Sequence, residues 1–216
     1  MFPLQHLKRL AKLQPLFSPG RYTLPSIQTA KNFSTTNQNG QVDKVYELRT
    51  YSIHPSKVTK FMQLTKENFH LRTNHSKLYG YWTSELGGLC EVVHIWEYDS
   101  FAHRTGVRKA LSEDPEWISR YLSKMTKLIV KQDNIVLQAV PWHPVHETPL
   151  VEGSVYELRY YVMKPAVGMS WLEAVKAALE SRAQKYDENK LCKIMGVWLP
   201  MLDLLIWCII FGTGQV

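Results

Sequence analysis

Val45-Tyr46-Glu47-Leu48-Arg49-Thr50-Tyr51 decides the fold, because it returns as Val155-Tyr156-Glu157-Leu158-Arg159-Tyr160-Tyr161. Six of the seven positions are identical, at an offset of 110 residues. Pro55 recurs as Pro165 at the same offset, and Leu78-Tyr79-Gly80-Tyr81-Trp82 is echoed by Ile194-Met195-Gly196-Val197-Trp198 at an offset of 116. Such matches point to a tandem duplication. The motif alternates and is rich in β-branched and aromatic residues, so each copy opens on a strand.

Outward from Val45–Ile53, Ser56 is placed to cap a helix reaching about Arg72, with Val58, Phe61, Met62, Thr65 and Phe69 on one face. Lys77–Leu86 and Leu89–Tyr98 read as strands joined at Gly87-Gly88 in a hairpin. Asp99 or Ser100 caps a second helix, and Asp114-Pro115 restarts it. Asn134–Val140 is a fourth strand, stopped by Pro141. The order β-α-β-β-α-β is the ferredoxin-like unit of an α+β fold.

The first unit thus occupies residues 43–142, and residues 143–153, with two prolines, form a linker. A partial second unit covers 154–198: a strand Ser154–Met163, a helix from Ser170 to about Asp187, and a strand near Lys193–Trp198. An intact copy would run about 36 residues past Val216. The hairpin's return strand, the second helix and the last strand are therefore expected to be missing, although Ile206-Trp207 faintly echoes Ile95-Trp96. Residues 199–216 read as a divergent apolar tail. Its uninterrupted run, Leu204–Phe211, falls well short of the roughly 20 residues of a membrane span. A strand packed on the sheet or an exposed sticky end fits it better than membrane association.

The chain has 216 residues, 45 % apolar and 21 % charged, which suits a folded protein and excludes fibrous and disordered classes. Its net charge of +7 is unevenly placed. Five of the 26 basic residues (Lys8, Arg9, Lys12, Arg21, Lys31) precede the first acid, Asp43. The remainder carries 21 bases against 19 acids, no electrostatic footprint for nucleic acid. Leu4, Leu7, Leu10, Ala11 and Leu13 recur at helical spacing between the early bases. A basic, acid-free, amphipathic and Ser-containing segment over residues 1–40 is the pattern of a mitochondrial transit peptide. The membrane potential favours entry of its charges, which makes the matrix the expected compartment and the cytosol the alternative. Cys90, Cys192 and Cys208 are odd in number with no Cys-x-x-Cys spacing, so neither a disulfide framework nor structural zinc is expected.

Four stretches carry a family resemblance: Tyr46-Glu47-Leu48-Arg49; His75-Ser76-Lys77-Leu78-Tyr79-Gly80-Tyr81-Trp82; Val93-His94-Ile95-Trp96; and the run from Phe101 to Leu111. In this order, across residues 43–198, the chain resembles the NIPSNAP family and most of all its third subgroup. The resemblance implies tandem ferredoxin-like units of the dimeric α+β barrel type. It also implies a mitochondrial protein closer to scaffolds and signalling proteins than to enzymes, with mitochondrial or autophagy proteins as partners, a link to mitophagy, and homo-oligomers as a further expectation.

Strand alternation puts Glu47, Arg49 and Tyr51 on one face and Tyr46 and Leu48 on the other. The Leu48 face is expected under the helices. The charged face, repeated in Glu157 and Arg159, is expected to meet the second unit or to line a polar pocket. His94 and Trp96 share a face of the third strand and Trp82 lies on its neighbour; with His75 they complete the pocket candidates. In a barrel of this type a His and a Trp suggest haem or oxygenase-like chemistry, the alternative to a non-catalytic interaction protein. No nucleophile motif, phosphate loop, paired carboxylates or metal-ligand spacing is present, so no catalytic residue, metal or cofactor is expected.

Overall fold

The computed structural model describes residues 44–147, 155–162, 173–182, 192–201 and 207–214. The expected leader, most of the linker and residues 202–206 and 215–216 of the tail lie outside these. Strand β1 is Val45–Ile53, followed by a 3-10 turn at Pro55–Lys57, helix α1 at Val58–Asn68 and a short helix α2 at His70–Thr73. The hairpin is β2, Lys77–Thr83, and β3, Glu91–Tyr98. Helix α3, Phe101–Glu113, leads to a π-helical segment, Trp117–Leu122, then α4, Ser123–Met125, and β4, Ile129–Ala139. The second unit supplies β5, Val155–Val162, a helix over 173–182, β6, Cys192–Pro200, and β7, Trp207–Gly214.

Local chemistry accounts for the boundaries. Ser100 Oγ accepts the His103 backbone N–H at 3.1 Å and so caps α3. Asp114 Oδ1 accepts the Glu116 and Trp117 amides and restarts the helix, as its sequence suggests. Ser56 does not cap α1: its hydroxyl turns to His54 Nδ1 at 3.0 Å, and Pro55 starts a 3-10 turn instead. The hairpin connection is longer than a two-residue turn. It runs from Ser84 to Cys90, with Gly87 at φ 104°, a conformation that favours glycine.

Among the described residues, seven strands form one antiparallel sheet in the order β2-β3-β1-β4-β6-β7-β5. The triplet β6-β7-β5 repeats β2-β3-β1. In the first unit Leu78 faces Trp96, a bulge follows at Tyr79, and Gly80 faces Ile95. In the second Ile194 faces Gly212, a bulge follows at Met195, and Gly196 faces Phe211. The apolar tail therefore supplies the return strand expected to be missing. The counterparts of Ile95 and Trp96 are Phe211 and Gly212, not Ile206 and Trp207. The connection from strand to hairpin is six residues longer in the second copy, which moves the return strand out of the 110-residue register.

The two faces carry distinct cores. On one, Tyr46, Leu48, Tyr79, Ile95 and Leu137 of the first unit pack with Met195 and Trp198 of the second. Trp198 meets Tyr46 and Tyr79 edge to face, at 5.8 and 5.4 Å between centroids. Trp82 lies 5.6 Å from Tyr156, so the two ends of the strand order approach each other and the sheet curls. On the other face, α1 and the 117–125 segment cover Tyr51, Ile53 and Val92, while α3 covers Val45, Trp96 and Tyr98. Leu179 of the 173–182 helix packs on Ile194 and Val197.

This reverses the expected assignment of faces. The Leu48 row is the shared interior, and the Glu47/Arg49 row lies toward the helices. The space between two similar units is closed on both sides by sheet, so apolar rows fill it at least cost. A charge row needs partners, and a helix can bring them. The repeated Gly-x-Trp has a packing reason too: a Cβ on Gly80 would stand 2.2 Å from the Trp82 ring, and one on Gly196 2.3 Å from that of Trp198. Each indole folds back over the glycine two residues before it.

Candidate functional site

Register assembles the site. Arg49 on β1 sits opposite His94 on β3 and Asn134 on β4, and His94 sits opposite Tyr81 on β2. The adjacent row places Glu47 between Trp96 and Val136. All point to the helical layer.

Glu47 is fully buried, and four donors converge on it. Arg104 of α3 holds it two-pronged, Nε to Oε2 at 3.2 Å and Nη2 to Oε1 at 2.8 Å. Asn134 Nδ2 donates to Oε1 at 2.8 Å and Tyr98 OH to Oε2 at 3.1 Å. Burial alone would raise its pKa. The hydrogen bonds from Arg104 and Asn134, with the charges of Arg49 and Arg104, outweigh burial and hold it at about 2. Behind it Arg72, also buried, donates to Tyr98 OH at 2.8 Å and to Ser76, and lies over the Trp96 ring at 3.9 Å.

His94 is 4 % exposed. Its Nδ1 accepts the Trp96 indole N–H at 2.7 Å, which leaves the proton on Nε2. Tyr81 stacks on the ring at 5.2 Å and Tyr51 meets it edge-on at 4.8 Å. Burial, then the charges of Arg49 and Arg72, push its pKa down to about 3. We predict that nitrogen NMR will find His94 neutral, with the proton on Nε2, at pH 5, where an ordinary histidine is charged. A titration midpoint near 6.5 would contradict the buried geometry.

The helical layer leaves an open cleft of about 380 Å³ beside Glu47, lined by Arg49, Arg104, Arg108, Gln132, Asp133 and Asn134. Arg49 Nη2 donates to Gln132 Oε1 at 3.2 Å, while its Nε is buried with no hydrogen-bond partner among the described residues. Arg104 and Arg108 stand one turn apart on α3, a like-charge spacing that costs about 0.2–0.5 kcal/mol on an isolated helix. Glu47 offsets this for Arg104; no acid does so for Arg108 among the described residues.

The other expected site residues are dispersed. Trp82 lies on the interior face, away from His94 and Trp96, because strand alternation past the Tyr79 bulge turns it there. His75 Nε2 stands 3.5 Å from Asp114 Oδ2 outside the cleft. Glu157 and Arg159 do not repeat the buried arrangement. They are substantially exposed and pair with each other at 2.6 Å, and among the described residues no counterpart of α3 covers them. The register partners of Arg159 and Glu157 on β7 are Ile210 and Gly212, where the first unit has His94 and Trp96. Among the described residues, the second copy repeats the strand and not the site. Sequence reasoning assigned no role to Arg72, Arg104, Arg108 or Asn134; the i, i+4 arginines inside a quoted motif were the available signal. No cluster of His, Cys, Asp or Glu that could hold a metal occurs among the described residues.

The NIPSNAP family profile matches residues 46–144, which contain the whole cleft. The chain is 45 % identical over 156 residues to NipSnap homolog 3A of Pongo abelii, covering 71 % of this chain and 62 % of that one. It is 47 % identical over 137 residues to NipSnap homolog 3A of Homo sapiens, covering 63 % and 55 %. It thus spans little more than half the length of the curated relatives it matches. A solved candidate monooxygenase from Fusobacterium nucleatum shares the fold at a TM-score of 0.58 with 10 % identity, covering 80 % of this chain and 76 % of that one. Repeat, ferredoxin-like topology, motif order and these matches converge: the chain belongs to the NIPSNAP family, within its NipSnap 3 subgroup.

Proposed function

We propose that this chain is a non-catalytic interaction protein of mitochondria, a scaffold linked to quality control and mitophagy. The observation that carries the reading is the filled interior of the curled sheet. Tyr46, Leu48, Tyr79, Ile95, Leu137, Met195 and Trp198 occupy the space in which a barrel enzyme would hold a substrate. Glu47 and His94, buried on the opposite face, are also held far from neutral pH, at about 2 and about 3. Neither suits proton transfer at physiological pH. His94 does not fit an axial haem ligand: its ring is packed between Tyr51 and Tyr81, and because Nδ1 accepts from Trp96 the proton sits on Nε2, which then has no lone pair for iron. The basic residues before Asp43 support the mitochondrial part of the reading.

The test is affinity capture of the full chain from mitochondria, with an absorption spectrum of the purified protein and imaging of a form lacking residues 1–33. Reproducible protein partners, no haem-like band and a cytosolic truncated form are expected. A bound chromophore would sink the non-catalytic reading. A truncated form that still accumulates in the matrix would sink the targeting claim.

A further inference from the structure

We propose that the arginine cleft beside Glu47 binds a small dianionic oxyacid, a phosphate or a dicarboxylate, between Arg49 and Arg108. The charge balance of the cleft points there. Arg104 is committed to both oxygens of Glu47, and Asp133 pairs with Lys131 at 2.7 Å. That leaves Arg49 and Arg108 as two lining cations without an acidic hydrogen-bond or ion-pair partner among the described residues. A dianion would neutralise both.

Donor geometry agrees with the charge. A guanidinium presents five N–H groups in a planar fork that matches carboxylate and phosphate oxygens. Arg49 gives one N–H to Gln132, which leaves three further N–H groups on its two terminal nitrogens beside the cleft. The fully buried Glu47, through Arg104, fixes the α3 face that carries Arg108 one turn on. A volume of about 380 Å³ lies at the small end of ligand sites and suits a few heavy atoms rather than a folded partner. The cleft's net positive charge rules against a metal cation. Glu157 and Arg159 pair with each other instead, so the inference concerns the first unit alone. It goes beyond the interaction reading and does not depend on it.

The experiment titrates the full chain with inorganic phosphate and, separately, succinate at mildly alkaline pH, against sodium chloride at matched ionic strength. Calorimetry and the backbone amide resonances of Arg49 and Arg108 are the readouts. A saturable response to phosphate or succinate that chloride does not reproduce is expected, and which anion saturates tells a phosphate ligand from a dicarboxylate one. Arg108→Gln should weaken it about ten- to a hundredfold, the worth of a charge-assisted hydrogen bond. Its melting temperature should not fall, because Arg108 makes no ion pair among the described residues. Lys109→Gln, at an exposed position of the same helix, should bind as the parent chain does. The proposal fails if neither anion saturates, if Arg108→Gln titrates like the parent chain, or if only an acidic peptide binds.

Discussion

Arg104→Ala is expected to destabilise the chain by about 3–5 kcal/mol at neutral pH, the cost of leaving a buried charge without its partner. The value follows from burial: Glu47 is fully enclosed, and Arg104 supplies two of its four hydrogen bonds. An exposed pair would be worth only about 0–1 kcal/mol, so magnitude separates the two pictures. Glu47→Gln should lose less, since the amide oxygen still accepts from Arg104. The pH profile adds a second handle. With Glu47 lowered from 4.5 to about 2, its stabilising contribution is complete above 4.5 and disappears as pH falls toward 2. That contribution amounts to about 3 kcal/mol. His94 acts in the same direction: the unfolded chain takes up a proton near 6.5 and the folded one only near 3, so stability also falls below 6.5. Urea denaturation at pH 7 and pH 3 should show a marked acid loss in the parent chain and a smaller one in Arg104→Ala. A variant within 1 kcal/mol of the parent at pH 7 would mean that the carboxylate reaches solvent.

Trp198→Ala should cost a similar amount, about 3–5 kcal/mol, the range for removing a large aromatic from a core. Trp198 is fully buried, and its ring belongs to the second unit while its aromatic neighbours, Tyr46 and Tyr79, belong to the first. The cavity would therefore open at the seam between the units. Beyond this seam they are joined by the short ladder from Leu137–Ala139 to Trp198–Pro200 and by Val140 and Trp142, which pack with Leu179, Ile194 and Val197. The parent chain should unfold in one transition, and Trp198→Ala should separate off an earlier one from the β5-β6-β7 half. Trp82→Ala, the equivalent change in the first copy, should cost less, because Trp82 is only partly buried. An unchanged denaturation midpoint in Trp198→Ala would show that the shared interior does not hold the halves together.

The duplicated Val-Tyr-Glu-Leu-Arg strand, the Gly-x-Trp echo, a cap at Asp99 or Ser100, the Asp114 cap and the order of elements in the first unit were all legible, because each rests on contacts within a few residues. Local periodicity also states that Glu47 and Leu48 face opposite ways. It cannot state which face meets which neighbour, since that depends on residues far along the chain. Arg104 lies 57 residues from Glu47, Asn134 lies 87, and Tyr79 and Met195 are 116 apart. The buried carboxylate, the cleft with two arginines that have no acidic ion-pair partner among the described residues, and the role of the apolar tail as a return strand are products of that long-range pairing. Sequence alone determined the strand and its alternation; tertiary structure decided which side became the dry interior, because only there could the apolar rows of both copies meet while a helix brought Arg104 to the charged side.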